Sequence, residues 1–286
     1  MKETTMQFMV MRRADEATEA GRMPEPAVFE DMGRFHEKLE EAGGVGLALG
    51  LRPSSRAVRL KLWPGGESIT DGPFAETKEL IAGFTVFEAE SKEHALALLK
   101  QWPASDADAT GEAVLELRET GCPGGCAQVP PAAAGEDARY LILLRADEGT
   151  EADRIPPQQM LDTLNAFNAA QAAAGRLLAG DGLKASSSGA RVKLSGGQAS
   201  VIDGPFAEAK ELIAGFWMIR ASSMADAIAW ARTLPYPTGP YVEVEIREAM
   251  TMDDVLAALD DRQRQLDASL RSEQLDAALR RVNIEA

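Results

Sequence analysis

Residues 71–84 read DGPFAETKELIAGF, and residues 203–216 read DGPFAEAKELIAGF. Thirteen of the fourteen positions agree, at an offset of 132 residues. The match runs outward without a gap. Phe8-Met9-Val10-Met11 faces Tyr140-Leu141-Ile142-Leu143, Phe35 faces Phe167, Gly43 faces Gly175, and Arg59 and Lys61 face Arg191 and Lys193. Beyond Pro103 and Pro235 the second copy is three residues shorter, and Glu116-Leu117-Arg118-Glu119 meets Glu245-Ile246-Arg247-Glu248. The chain is a tandem duplication. Its expected divisions are a first domain at 1–119, a linker at 120–137, a second domain at 138–249 and a helical extension at 250–286. The linker, TGCPGGCAQVPPAAAGED, is rich in Gly, Pro and Ala, which suits a connection between folded units.

Each copy opens on a short apolar, β-prone run (residues 6–11 and 140–144). Val28, Met32, Phe35, Leu39 and Ala42 then recur at helical spacing before Gly43-Gly44; Leu161, Leu164, Phe167 and Ala174 repeat the pattern before Gly175. Val58-Arg59-Leu60-Lys61-Leu62 alternates with a period of two, as a half-buried strand does, and a Gly-Gly turn leads to a hairpin partner at 68–70. After the DGPF phrase come a short helix over 75–82, a strand over 84–89, a helix capped by Ser91 or Ser223, and a last alternating strand. The order is β-α-β-β-α-β. This predicts an α+β fold: two ferredoxin-like units, each with one bare sheet face, closing on each other as an intramolecular dimeric α+β barrel.

Composition narrows the function. The 286 residues carry a formal charge of −15, shared as −8 and −7 when the chain is split at Val129. Neither half has the clustered Lys and Arg that phosphate neutralisation requires, so nucleic acid is not an expected partner. No apolar run approaches the roughly 20 residues of a membrane span, and residues 1–5 lack the apolar core of a secretory signal. The two cysteines, Cys122 and Cys126, are close together in the linker; the expectation is a cytoplasmic protein with reduced thiols and a linker turn at Cys-Pro-Gly-Gly-Cys. The Gly pairs lack a phosphate-loop pattern and the chain has two histidines in all, so neither nucleotide nor metal is expected as cofactor.

The repeated Asp-Gly-Pro-Phe-Ala-Glu, followed by Lys-Glu and Gly-Phe, resembles the signature of the YCII-related, or DGPF-domain, family. The Arg-x-Lys strand before it and the Glu-x-Arg strand that closes each copy are similar to the same family. The resemblance implies the dimeric α+β barrel again, within a superfamily of muconolactone isomerases, small cofactor-free monooxygenases and chlorite-dismutase-like proteins. It also implies a His–Asp pair in a cleft in some relatives, and genes that accompany extracytoplasmic-function sigma factors. This chain departs from that pattern. His36 and His94 stand opposite Asn168 and Asp226, so a His–Asp dyad can exist in one copy at most. Arg52 and Lys184 occupy positions where relatives carry His.

Asp71 and Asp203 are the expected acid–base groups, because a strand–turn–helix junction sets a carboxylate beside free N–H groups. Arg59, Lys61, Arg191 and Lys193 on the preceding strands are the expected binders of an anionic group on a small organic ligand. The competing structural reading makes Asp-Gly-Pro a turn with Gly at positive φ, Pro opening the next helix and Phe74 and Phe206 plugging the core. Glu76, Lys78, Glu79, Glu208, Lys210 and Glu211 read as a solvated helix face. Leu256, Leu259, Leu266 and Leu270, then Leu275, Leu279 and Val282, form a broken amphipathic stripe, suited to packing on the barrel, to further self-association or to a protein partner. Two functions follow: a small-molecule enzyme using Asp71 or Asp203, or a non-catalytic regulatory module acting through a partner such as a sigma factor.

Overall fold

The computed structural model describes residues 5–75, 80–122, 129, 139–206, 212–251, 253–257, 259–260 and 264. In the first copy β1 (Met6–Arg13), a single turn α1 (Glu16–Glu19), α2 (Pro26–Ala42) and β2 (Val45–Gly50) precede a hairpin, β3 (Val58–Trp63) and β4 (Gly66–Asp71). Then come β5 (Ile81–Ala89), α3 (Lys92–Leu99) and β6 (Glu112–Glu119). The second copy repeats this as β7 (Arg139–Arg145), α4 (Glu148–Glu151), α5 (Gln158–Ala173), β8 (Leu177–Gly182), β9 (Ala190–Ser195), β10 (Gln198–Asp203), β11 (Ile213–Arg220), α6 (Met224–Thr233) and β12 (Val242–Glu248).

The strands form two antiparallel six-stranded sheets, ordered β10-β9-β6-β1-β5-β2 and β4-β3-β12-β7-β11-β8. Inside each lies a four-stranded ferredoxin-like core, β6-β1-β5-β2 with α2 and α3, or β12-β7-β11-β8 with α5 and α6. The hairpins are extra, and they are exchanged. Arm β3–β4 of the first copy adds to the second sheet with Glu245 opposite Arg59 and Val244 opposite Leu60. Arm β9–β10 of the second copy adds to the first sheet with Glu116 opposite Arg191 and Leu115 opposite Val192.

The sequence-based strand assignment is corrected here. The second core strand is not the Arg-x-Lys strand but β2 or β8, whose sequences VGLALG and LLAGDG are short, Gly-rich and without alternation. The alternating strand belongs to the arm: one face packs under the other copy's helices, and the other brings Arg59 to the buried Glu245 and leaves Lys61 about half exposed. Of the helix expected over 75–82, Ala75 is not helical and Ile81 and Ala82 already belong to β5, while residues 76–79 lie outside the described residues. Glu76, Lys78, Glu79, Glu208, Lys210 and Glu211 lie outside the described residues.

Period-two burial partitions the core. On β1 and β7, Met9, Met11, Leu141 and Leu143 point into a cluster shared by both sheets, joined by Phe84 and Phe216, whose rings are 5.9 Å apart. Phe8, Val10, Tyr140, Ile142 and Leu144 point the other way, under the helices. Strands covered on both faces need apolar residues at every position, which is why the first strand of each copy reads as an unbroken apolar run. The arms take part. Leu60, from the first copy, is fully buried in the second copy's helix-side cluster, and Val192 takes the matching place in the first.

The extension starts on a cap, with the Asp254 N–H donating to Thr251 Oγ1 (3.2 Å) and Asp254 accepting a bidentate pair from Arg52 (2.7 and 2.8 Å). Residues 253–257 are helical; Leu266, Leu270, Leu275, Leu279 and Val282 lie outside the described residues. No helix among the described residues is long and apolar enough to cross a membrane.

Leu60→Ala tests the exchange. Truncating a fully buried leucine costs about 2–5 kcal/mol. The change is expected to lower the denaturation midpoint and to alter the fluorescence of Trp217 and Trp230, which share the second copy's cluster with Leu60, while Trp102 in the first copy's cluster keeps its signal.

Candidate functional site

Both DGPF loops sit over a buried ion cluster assembled from the two copies. Glu245 on β12 is 2% exposed. It accepts from Arg145 on β7 (2.5 Å), from Arg247 two residues along (3.1 Å) and from Arg59 on the exchanged arm (3.1 Å). Its counterpart Glu116 accepts from Arg13, from Arg118 (3.3 Å) and from Arg191 on the other arm (3.2 Å). Burial pushes both carboxyls up. In each the three guanidiniums outweigh it and hold the carboxyl below the usual glutamate range.

The clusters reach the DGPF loops through Ser54 and Ser186. Glu19, which closes α1, accepts from the Ser54 N–H (3.1 Å) and its hydroxyl, and Ser54 Oγ in turn accepts from the Phe74 N–H (3.2 Å). Glu151, Ser186 and Phe206 repeat this at 3.1 and 3.3 Å. The guanidinium of Arg59 lies 4.1 Å over the Phe74 ring, and that of Arg191 lies 4.3 Å over Phe206, so each Phe caps a cation. Gly72 and Gly204 are required for room and not for positive φ, which neither adopts. A methyl on either would stand 1.8 Å from the carbonyl oxygen of Ser54 or Ser186.

Of the residues expected to form the site, the structure brings Arg59 and Arg191 into these clusters and leaves the others on the surface. Asp71 and Asp203 end the exposed strands β4 and β10. Among the described residues neither accepts from a helix N–H, and Asp203 accepts from Lys92 at 2.9 Å. Lys61 and Lys193 are about half exposed, paired with Glu243 (2.9 Å) and Glu112 (2.8 Å). A strand end on an outer edge turns its side chain to water, and that separates the Asp from the Arg that precede it in the chain.

A cavity lies elsewhere, in the second copy between α5 and the sheet. It measures about 60 Å³ and is lined by Leu144, Leu164, Asn168, Asp181 and Trp217, with Thr238 from the loop after α6. Burial raises Asp181 to about 6, against hydrogen bonds from the Gly182 N–H, the Thr120 hydroxyl and the Gly121 N–H. Asn168 is 5% exposed, and its Oδ1, like the Oγ1 of Thr238, is a buried oxygen with no hydrogen-bond partner. Buried polar atoms are rarely left so, which marks a place for a donor.

In the first copy the positions of Leu144, Asn168, Asp181 and Trp217 hold Arg12, His36, Leu49 and Thr85. Arg12 is bound to Asp106 (3.3 Å) and Asp15 (2.9 Å), and His36 Nε2 is 3.3 Å from Thr85 Oγ1. Burial lowers the pKa of His36 and raises that of Asp106, the latter against the pull of Arg12. The two sites therefore differ in chemistry although the loops above them are near-identical.

Sequence reasoning passed over Glu116, Glu245 and Asp181. The first two carry a visible signal: an acid and a base, Glu-x-Arg, in the middle of an apolar strand in both copies. Asp181 carries a fainter one, a single acid in LLAGDG where the other copy has Leu. The reduced thiols are corrected as well, because Cys122 is disulfide-bonded.

The sequence profile of the YCII-related domain matches residues 6–118 and again 138–250. The chain is also 38% identical over 69 residues to the uncharacterized protein R00369 of Rhizobium meliloti (strain 1021). That match spans 24% of this chain and 56% of the relative, so the chain covers about half the length of the curated protein it resembles.

The raised Asp181 has a consequence for stability. A carboxyl that keeps its proton more firmly when folded favours the native state below its unfolded pKa, and that contribution disappears as the pH rises through the folded value. From 3.8 to about 6, the native state is expected to lose about 3 kcal/mol from this group. Urea melts between pH 4 and 7 on the protein and on Asp181→Asn check it: the difference between the two curves falls over that window, and a flat difference contradicts it. Arg154 is the other charged side chain in the lining.

Proposed function

The chain belongs to the YCII-related family, with two copies of its domain in tandem, and on that premise we propose that it binds a small organic molecule in the second copy's cavity, with Asp181 as the group that gives or takes a proton. The observation that carries this is the pair of unpartnered buried oxygens, Asn168 Oδ1 and Thr238 Oγ1, in the same lining as a titratable carboxyl. Two acceptors facing one space select a ligand that presents N–H or O–H donors, and the Trp217 and Leu164 walls select for an apolar body. A carboxyl with a pKa of about 6 is suited to acid–base work near neutrality, where an ordinary aspartate is a weak base.

This reading moves the acid–base role from Asp71 and Asp203 to Asp181. It also turns away from an anionic ligand, since Arg59, Lys61, Arg191 and Lys193 each face a carboxylate of this chain. The regulatory reading draws on a different observation: Trp63, Ile69 and Ile202 leave apolar surface exposed on the two arms, where a protein partner can dock.

A panel of small nitrogen heterocycles, amides and alcohols, titrated against the protein by NMR, separates these. Binding is expected to shift the Trp217 indole signal and to weaken at least tenfold in Asp181→Asn, a loss in keeping with one hydrogen bond to a charged group. Asp71→Asn and Asp203→Asn leave it unchanged. Binding that ignores Asp181, or that Asp71→Asn or Asp203→Asn removes, contradicts the proposal.

A further inference from the structure

The first copy fills the matching place with a group of its own. Arg12 is 7% exposed. Its guanidinium donates to the Arg13 carbonyl, to the Asp106 carbonyl (2.9 Å) and to the Asp106 carboxylate (3.3 Å). It is also paired at 2.9 Å with Asp15, the residue that caps α1. Beside it His36 Nε2 has Thr85 Oγ1 at 3.3 Å. A buried guanidinium thus sits between two carboxylates on the helix side of the sheet.

The second copy keeps the acceptors and lacks the guanidinium. Leu144 stands in the place of Arg12. Thr238 stands in that of Asp106, each being the third residue after the matched Pro235 and Pro103, and its buried Oγ1 has no partner. Trp217 stands in the place of Thr85, so Asn168, at the position of His36, meets no hydroxyl there and its Oδ1 has no partner. Asp147 repeats Asp15: it caps α4 and accepts from the Thr150 N–H (2.7 Å). Among the described residues it has no ion pair, whereas Asp15 has Arg12. Thr150 lines the cavity. Asp181, where the first copy has Leu49, makes up for the carboxylate lost at Thr238. Two carboxylates therefore flank the place in both copies, Asp15 and Asp106 in one, Asp147 and Asp181 in the other.

Resting on the reading of this cavity as the binding site, we propose that its ligand is a small guanidinium or amidinium cation, seated where the first copy holds the guanidinium of Arg12. Thr238 Oγ1 and Asn168 Oδ1 accept its hydrogen bonds, and Asp147 and Asp181 supply the counter-charge. A guanidinium carries donors and no acceptor, so it satisfies a lining whose unpartnered atoms are oxygens. It is planar and weakly hydrated, which suits a place walled by Leu164 and Trp217, and an indole face attracts a cation. Arg154, the basic residue of the lining, is exposed and sets one positive charge against the two carboxylates.

Titrations of the full chain with methylguanidinium, urea and tetramethylammonium, read at the Trp217 indole by NMR below denaturing concentrations, test the class of ligand. Urea offers planar N–H donors without charge, and tetramethylammonium offers charge without donors. Methylguanidinium is expected to bind at least tenfold more tightly than either, as charge-assisted hydrogen bonds require. Leu144→Arg combined with Thr238→Asp rebuilds the first copy's Arg12–Asp106 pair; it is expected to keep the parent's far-UV circular dichroism and to lose the methylguanidinium response. An equal response to urea or to tetramethylammonium overturns the proposal. So does no response to methylguanidinium, or a response that survives in the folded double variant. The comparison of the three ligands uses the unaltered chain and decides the matter even if the double variant does not fold. Failure here is distinct from failure of the cavity as a site, which the amide and alcohol titrations with Asp181→Asn decide.

Discussion

Everything in this molecule depends on two buried glutamates that each bind an arginine brought by the other copy. Glu245 is reached by Arg59 and Glu116 by Arg191, and both arginines ride on exchanged arms. A buried carboxylate is tolerated only when its charge is met, and removing one partner from a buried pair costs about 3–5 kcal/mol. Each sheet therefore holds a charge that is fully met only with the other copy in place. The apolar seam of Met9, Met11, Leu141, Leu143, Phe84 and Phe216 gives the halves their adhesion, while the glutamate clusters fix which strand lies beside which. The DGPF phrase belongs to this device. Its Phe caps the arm's arginine, its Gly packs on the serine carbonyl, and that serine is held by Glu19 or Glu151 of α1 or α4.

This accounts for a phrase held almost letter for letter while the surroundings differ. The loops serve a shared architectural contact, so both copies need them. The helix-side sites serve no such contact, and they have become unlike. In one, Arg12 is ion-paired with Asp15 and Asp106; the other holds a cavity beside Asp181. A duplicated chain can keep a symmetric frame and use a single site, because the frame is stabilised by both copies together.

The duplication, the α+β class and the facing of two ferredoxin-like sheets were legible in the sequence, since they follow from the repeat and from apolar periodicity. The helices came through because Val28, Met32, Phe35 and Leu39 in one copy and Leu161, Leu164 and Phe167 in the other recur at helical spacing before a glycine. The arm exchange was not legible. Arg59-Leu60-Lys61 alternates in the same way whichever copy it pairs with, and pattern alone carries no information about partner choice. The strands β2 and β8 were hidden by their glycines. Arg59 and Arg191 were singled out for an external anion, because the sequence does not show that Glu245 and Glu116 lie opposite them. Asp181 was invisible for a related reason: its environment comes from α5, from the loop at Thr238 and from the linker, three segments far apart in the chain.

The reciprocal exchange of arms is tested most directly by cysteine pairs in a background lacking Cys122 and Cys126. Lys61 lies opposite Glu243 across β3 and β12, whereas Lys193 lies opposite Val114 across β9 and β6. If the arms are exchanged, Lys61→Cys combined with Glu243→Cys closes a disulfide on mild oxidation, and Lys61→Cys combined with Val114→Cys does not. The opposite outcome, cross-linking to Val114 and none to Glu243, would show each arm folded back on its own copy and would contradict this account.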